Sequence, residues 1–134
     1  MTHLHLNHLA ILVAAILQWI IGALWYSLIF GKLWKSLVGQ KQGPTAFSAI
    51  VAMTSSFIGG LVLSFVLAHI IIWAEATNFP WGSFIGFMCW LGFVVPLLLA
   101  QTLYEGRSFK LFAINVFYWL LVFIVSGGLL AQWQ

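Results

Sequence analysis

The chain has 134 residues, 63% of them hydrophobic and 5% charged, with a formal net charge of +3; an average soluble domain carries about 25% charged residues. So few charges cannot cover a water-soluble surface, which would be one continuous apolar patch. Five basic residues against two acidic ones also fall short of the basic stripe by which a protein holds nucleic acid, which leaves a single domain over residues 1–134, all-α and lying in the lipid bilayer.

A membrane-spanning helix needs about 20 apolar residues, because each adds about 1.5 Å across a hydrocarbon core about 30 Å thick. In chain order the spans predicted are residues 8–30, 46–76, 83–104 and 109–133. The apolar runs are continuous rather than alternating, so a polytopic four-helix bundle is expected and a barrel is excluded. No Lys/Arg-rich start and no small-residue cleavage site accompany the first run, which therefore reads as a retained helix. After it, Phe30, Leu33, Trp34 and Leu37 recur at the spacing of one helix face, with Lys32, Lys35 and Ser36 between them. This predicts a short interfacial helix over residues 30–37, its lysines toward anionic headgroups. The stretch GQKQGPT at residues 39–45 then breaks it.

The second span carries Ser48, Ala52, Ser56, Gly60, Ser64 and Ala68 at a spacing of four. Small residues so placed let a neighbouring backbone approach closely. Ser56, Gly60 and Ser64 are expected to pack in this way, against another helix of the same chain or against a second copy. Gly82 with Gly86, and Gly127 with Ala131, are shorter versions of the pattern. The third span contains Pro96, which removes the hydrogen bond to the Gly92 carbonyl and predicts a kink. The fourth begins after Glu105-Gly106-Arg107-Ser108, with Ser108 as its N-cap.

The connections differ in charge. Lys32, Lys35 and Lys41 precede the second span, Arg107 and Lys110 flank the start of the fourth, and neither the 77–82 connection nor either terminus has a Lys or Arg. All five basic residues thus fall on one face, and short basic loops stay cytoplasmic. The expectation is a multi-pass protein of the cell membrane, the inner one in a bacterium, with both termini outside. Aromatic residues agree: Trp73, Trp81 and Trp133 fall near the outer boundary, and Trp25, Tyr26, Trp34 and Tyr104 near the inner one, where amphipathic rings prefer to lie.

Ionisable groups within a membrane mark function by default, and here the deep ones are nearly absent. Glu75 and Glu105 sit at helix ends, and Gln18 is the amide nearest mid-membrane. A proton-coupled exporter of this size would need a buried carboxylate, so that mechanism is disfavoured. There is no Asp, no Gly-x-Ser-x-Gly elbow, no Cys-x-x-Cys, and a single cysteine, Cys89, with no His near it. No residue is therefore assigned a catalytic role, and an enzyme with a side-chain nucleophile is not expected. His3, His5, His8 and His69 fall on the outer side. Imidazoles gathered there can hold zinc or copper, and His8 with His69 can ligate a haem axially. The other reading is a polar tail plus one interfacial histidine bonded to backbone, and no cofactor is assigned.

The run Gly22-Ala-Leu-Trp25-Tyr26-Ser27, then Phe30-Gly31-Lys32-Leu-Trp34, is joined by Gly86-Phe-Met-Cys-Trp90-Leu-Gly92-Phe-Val-Val-Pro96, by Glu105-Gly106-Arg107-Ser108, and by Asn115 with Tyr118. Together, over essentially the whole chain, these resemble a family of small bacterial membrane proteins known as domain of unknown function 1761. The chain departs from that pattern in having Leu28 directly after Trp-Tyr-Ser, where the family usually has a proline. The resemblance implies a four-helix membrane protein and supplies no activity. Its motif residues Trp25, Tyr26, Ser27, Lys32, Trp34, Glu105, Arg107, Asn115 and Tyr118 map to the cytoplasmic half, the first place to look for a site.

The functional expectation is a non-enzymatic bundle that binds a small molecule or lipid, or that joins a homodimer or a larger membrane complex. A small transporter or channel-like homo-oligomer is the alternative, and a metal- or haem-binding protein using the outer histidines is a second. A pocket containing Gln18 favours ligand binding or transport; a tight bundle with an exposed small-residue groove favours a complex subunit.

Overall fold

Asn7 starts the first helix: its side-chain oxygen accepts the Ala10 amide at 3.1 Å, giving a partner to one of the N–H groups a helix start leaves free. The computed structural model describes residues 6–29 and 46–133. Helix α1 (His8–Ala23) runs into a π-helical turn (Leu24–Ile29). Helix α2 (Ala46–Trp73) is the second span. Helix α3 (Phe79–Cys89), a second π-helical segment (Trp90–Val94) and α4 (Val95–Glu105) together make the third, and α5 (Phe109–Gln132) is the fourth. The four spans read from the sequence are thus four helices long and apolar enough to cross a membrane, with no strand among the described residues. The interfacial helix expected over residues 30–37 lies outside the described residues.

The joints follow from local chemistry. Beyond α2, Glu75 adopts the left-handed conformation (φ 57°) and the Ala76 N–H closes back on the Ile71 carbonyl at 3.1 Å, the six-to-one bond that ends many helices. Asn78 caps α3 by accepting the Trp81 amide at 2.9 Å, and Pro80 occupies the first turn, where a missing N–H costs nothing. Gly106 (φ 64°) ends α4, with the Arg107 N–H on the Thr102 carbonyl at 3.0 Å. Ser108 caps α5, accepting the Lys110 amide at 3.1 Å.

The kink expected at Pro96 takes the form of π-helical widening. A proline ring collides with the carbonyl four residues back. Just before it the helix switches to a five-residue spacing, with the Val95 N–H on the Trp90 carbonyl. An open break would expose unpaired backbone groups to lipid, which is costly; the π turn displaces the offending carbonyl while keeping the neighbouring bonds.

Helix α5 is the centre of the bundle. Half of its most apolar stretch is buried, against 28% for the first two spans and 11% for the third. α1 and α2 cover one side and α3 the other. In the half that holds the described chain ends, Ala10, Ala14, Leu67, Ala68, Ile71, Leu130 and Ala131 form a close core. Asn7 Nδ2 donates to the Trp133 carbonyl and the Phe79 amide to Gln132 Oε1, both at 3.1 Å.

The closest backbone approach joins α3 to α5. A Cβ added at Gly82 would fall on the Gly127 carbonyl oxygen and the Ala131 methyl, and one at Gly86 on the Phe123 carbonyl oxygen. The α2 stripe is the longer pattern in the sequence, yet this shorter one marks the tightest seam, because glycines face each other across it. In the opposite half α2 diverges: residues 50–56 are all exposed on the bundle surface. Between the packed half and this open one lies the site.

Candidate functional site

Where α2 leaves the bundle, a cavity of about 590 Å³ opens between α1, α2 and α5. This lies within the range of about 300–1,000 Å³ typical of small-molecule sites. One wall is aromatic: Trp19 and Tyr26 from the first span, Tyr118 and Trp119 from α5. The facing wall is small: Ala52, Ser56, Gly59 and Gly60 from α2. Met53, Leu63, Gly22 and Ala23 complete it, and no charged side chain is among the lining residues described.

Gln18 forms the roof and is only 4% exposed. Its Nε2 donates to Ser64 Oγ at 2.8 Å and to Ser126 Oγ at 3.1 Å. One amide on α1 thereby ties α2 and α5 at mid-span, and both of its N–H groups have an acceptor. The serines are 0% and 1% exposed, so the tie is dry. The amide oxygen accepts no hydrogen bond among the described residues. It is not sealed in, since no fully enclosed side-chain oxygen or nitrogen lacks a partner there; Gln18 is a lining residue, and this oxygen fronts the cavity.

The floor is built by the end of the first span. In the π-helical turn, adjacent residues Trp25 and Tyr26 both reach α5: Trp25 Nε1 donates to the Ile114 carbonyl at 3.0 Å, and the Tyr26 hydroxyl to Asn115 Oδ1 at 2.6 Å. Tyr118 meets the edge of Tyr26 with ring centroids 5.1 Å apart, and its hydroxyl makes a long 3.4 Å contact to the Gln18 backbone carbonyl. Gly22 makes room for that ring, because a Cβ there would stand 3.0 Å from the Tyr118 oxygen. Trp90, from the other π segment, donates to the Val116 carbonyl at 2.8 Å.

Of the family-motif residues, Trp25, Tyr26, Asn115 and Tyr118 therefore gather at one place. Ser27 lies in the π-helical turn, while Lys32 and Trp34 lie outside the described residues. Glu105 and Arg107 stand apart from the cavity at the 105–108 turn, paired with each other at 2.6 Å and half exposed. Arg107 and Asn115 share a separate cleft of about 20 Å³, with room for little more than one water. On the α2 stripe, Ser56 lines the cavity, Gly60 abuts Gln18 and Ala15, and Ser64 belongs to the tie.

Among the histidines, His3 and His5 lie outside the described residues. His8 is exposed at the start of α1. His69 holds its Nδ1 2.8 Å from the Phe65 carbonyl and lies between the Phe65 and Trp73 rings. No three His, Cys, Asp or Glu side chains among the described residues come together as a metal site.

Sequence reasoning did not single out Trp19, Trp119 or Ser126. The available signal was that a buried amide needs partners at its own level; counting residues does not find Ser126, which lies six before the end of α5 at Gln132 while Gln18 lies ten after the start of α1 at His8.

Four apolar spans around a dry polar tie make this a multi-pass integral membrane protein with a cavity between its helices. The chain belongs to the family described as protein of unknown function (DUF1761), whose model matches residues 9–131. No curated protein and no solved structure matches it.

Proposed function

We propose that the protein binds a neutral amphipathic small molecule or lipid in the cavity between α1, α2 and α5. The observation that carries this reading is a cavity of about 590 Å³ with no charged side chain among its described lining residues, fronted by a deep amide oxygen that accepts no hydrogen bond among the described residues. Holding a polar group in a bilayer is costly, and a bundle needing Gln18 only to tie helices would gain nothing from an open chamber beneath it. The five-to-zero distribution of Lys and Arg supports placing the cavity in the cytoplasmic half, with both termini outside the cell membrane. Transport is the second reading. It is favoured by the position of the Gln18–Ser64–Ser126 tie, which separates the open half from the packed one where a gate would stand.

The test is what co-purifies. Gly59 faces the cavity, and a Cβ added there meets nothing within 4 Å. Gly59→Phe would place a ring in the chamber and narrow it without substituting a residue of the tie. Mass spectrometry of extracts from the purified wild-type protein should show a neutral amphipathic species, retained in proportion to protein and lost from Gly59→Phe. Equal content in both would exclude the cavity as its site.

A further inference from the structure

We infer that the occupant is a hydroquinone-type molecule, a neutral ring with hydroxyl groups and an apolar tail, whose O–H donates to Gln18 Oε1. This rests on the cavity being a ligand site. Three features specify the chemistry. First, the deep end presents an acceptor only, because both amide protons are spent on Ser64 and Ser126. A ketone, ester or quinone would set acceptor against acceptor; a hydroxyl supplies the missing donor. Second, the lining is rich in aromatic rings. The cavity is lined by the Trp19, Tyr26, Tyr118 and Trp119 rings and, on α2, by Ala52, Ser56, Gly59 and Gly60 with Met53 and Leu63, and aromatic pairs prefer the stacked or edge-on approaches such a lining allows. A flat ring fits it better than a branched chain.

Third, a second polar group lines the same cavity. Ser56 precedes Gly60 by four residues, a rise of about 6 Å along the helix, and a Cβ at Gly60 would stand 3.1 Å from the Gln18 oxygen. In the proposed pose the second hydroxyl of the ring is directed toward Ser56, which serves as donor or acceptor. Beyond Ser56 the exposed 50–56 stretch of α2 opens to the surface of the bundle, where an apolar tail would continue into lipid.

The probes are a decyl-substituted hydroquinone and its dimethyl ether, titrated into protein in lipid nanodiscs and read by quenching of tryptophan fluorescence. The hydroquinone should bind about tenfold more tightly, the worth of one hydrogen bond to an otherwise unpaired buried acceptor. Gln18→Leu should erase that difference, and Gly59→Phe should abolish binding of both. If both probes bind alike and Gly59→Phe removes both, the cavity is a site and the hydroxyl preference is wrong. If neither binds, or Gly59→Phe changes nothing, the ligand-site reading falls with it. Should Gln18→Leu fail to fold, the two probes on the wild type and on Gly59→Phe decide the matter alone.

Discussion

Gln18 is where the demands of the bilayer are most visible on a single side chain. A lone amide amid apolar residues stands out in the sequence; its partners do not, because every Ser on an apolar helix looks alike until the helices are in register. Interhelical hydrogen bonds in membrane proteins are worth about 0.6 kcal/mol on average and up to about 1.7. Ser64→Ala and Ser126→Ala each strand one amide N–H in a dry setting, so each should cost about 1 kcal/mol, measured by unfolding in mixed micelles. Because both act through one amide, the double variant should fall short of the sum; strict additivity would mean the serines do not share Gln18. Glu75 makes a different point. Its left-handed φ of 57° suits glycine; the helix end was legible, but the left-handed residue was not, because Ala-Glu-Ala holds no Gly or Asn to mark it. Left-handed geometry costs a non-glycine residue roughly 1–2 kcal/mol, part of which glycine returns as unfolded-chain entropy. Glu75→Gly should therefore raise the midpoint of the same unfolding transition slightly; a lower midpoint would show that the carboxylate makes a stabilising contact.

Among elements, the deciding quantity is how near two backbones come. Without a hydrophobic drive between helices in lipid, close packing of small residues holds them. The spacing-four stripe on α2 was legible, but a stripe does not say what it faces: Gly60 meets α1, whereas Ser56 and Gly59 border a cavity. The shorter Gly82/Gly86 pattern turned out to face Gly127, which no one-dimensional pattern reveals. Two alanine substitutions separate these roles. Gly82→Ala drives a methyl into the Gly127 carbonyl, and backbone cannot swing aside as a side-chain tip can. Its cost should be at or above the upper end of the usual 1–3 kcal/mol for overpacking, about 3 kcal/mol. Gly59→Ala meets open space and should stay within about 0.5 kcal/mol of wild type, or gain slightly from helix propensity. Thermal unfolding of the two in the same detergent should separate them clearly; equal values would mean the α3–α5 seam is looser than described. The π turns show a similar limit of sequence reading. Pro96 announced an irregularity, while the turn at Leu24–Ile29 contains no proline and is explained only by Trp25 and Tyr26 both finding partners on α5.

For the whole molecule, number and order of spans were legible because the bilayer imposes a fixed length on each. The cavity was not, because it depends on where α2 parts from α5, a matter of packing over distances no local pattern encodes. Orientation is the property that links the fold to its surroundings, and it decides from which side a bound molecule is reached. The 77–78 turn and the described chain ends lie at one end of the bundle, the 105–108 turn at the other. Arg107 and Lys110 are at the latter end, and the remaining three basic residues fall in the connection before α2, on the same side by span count. Retention of short basic loops in the cytoplasm predicts Glu105 inside and Thr77 outside. Both positions are exposed, and Glu105→Cys keeps all five basic residues that govern insertion. Cys89 is buried and can be replaced by Ser to give a silent background. In intact cells an impermeant thiol reagent should label Thr77→Cys at once, and Glu105→Cys only after the membrane is permeabilised. The reverse pattern would turn the molecule over and open the cavity toward the outside, so that any ligand would be sought among molecules of the outer leaflet.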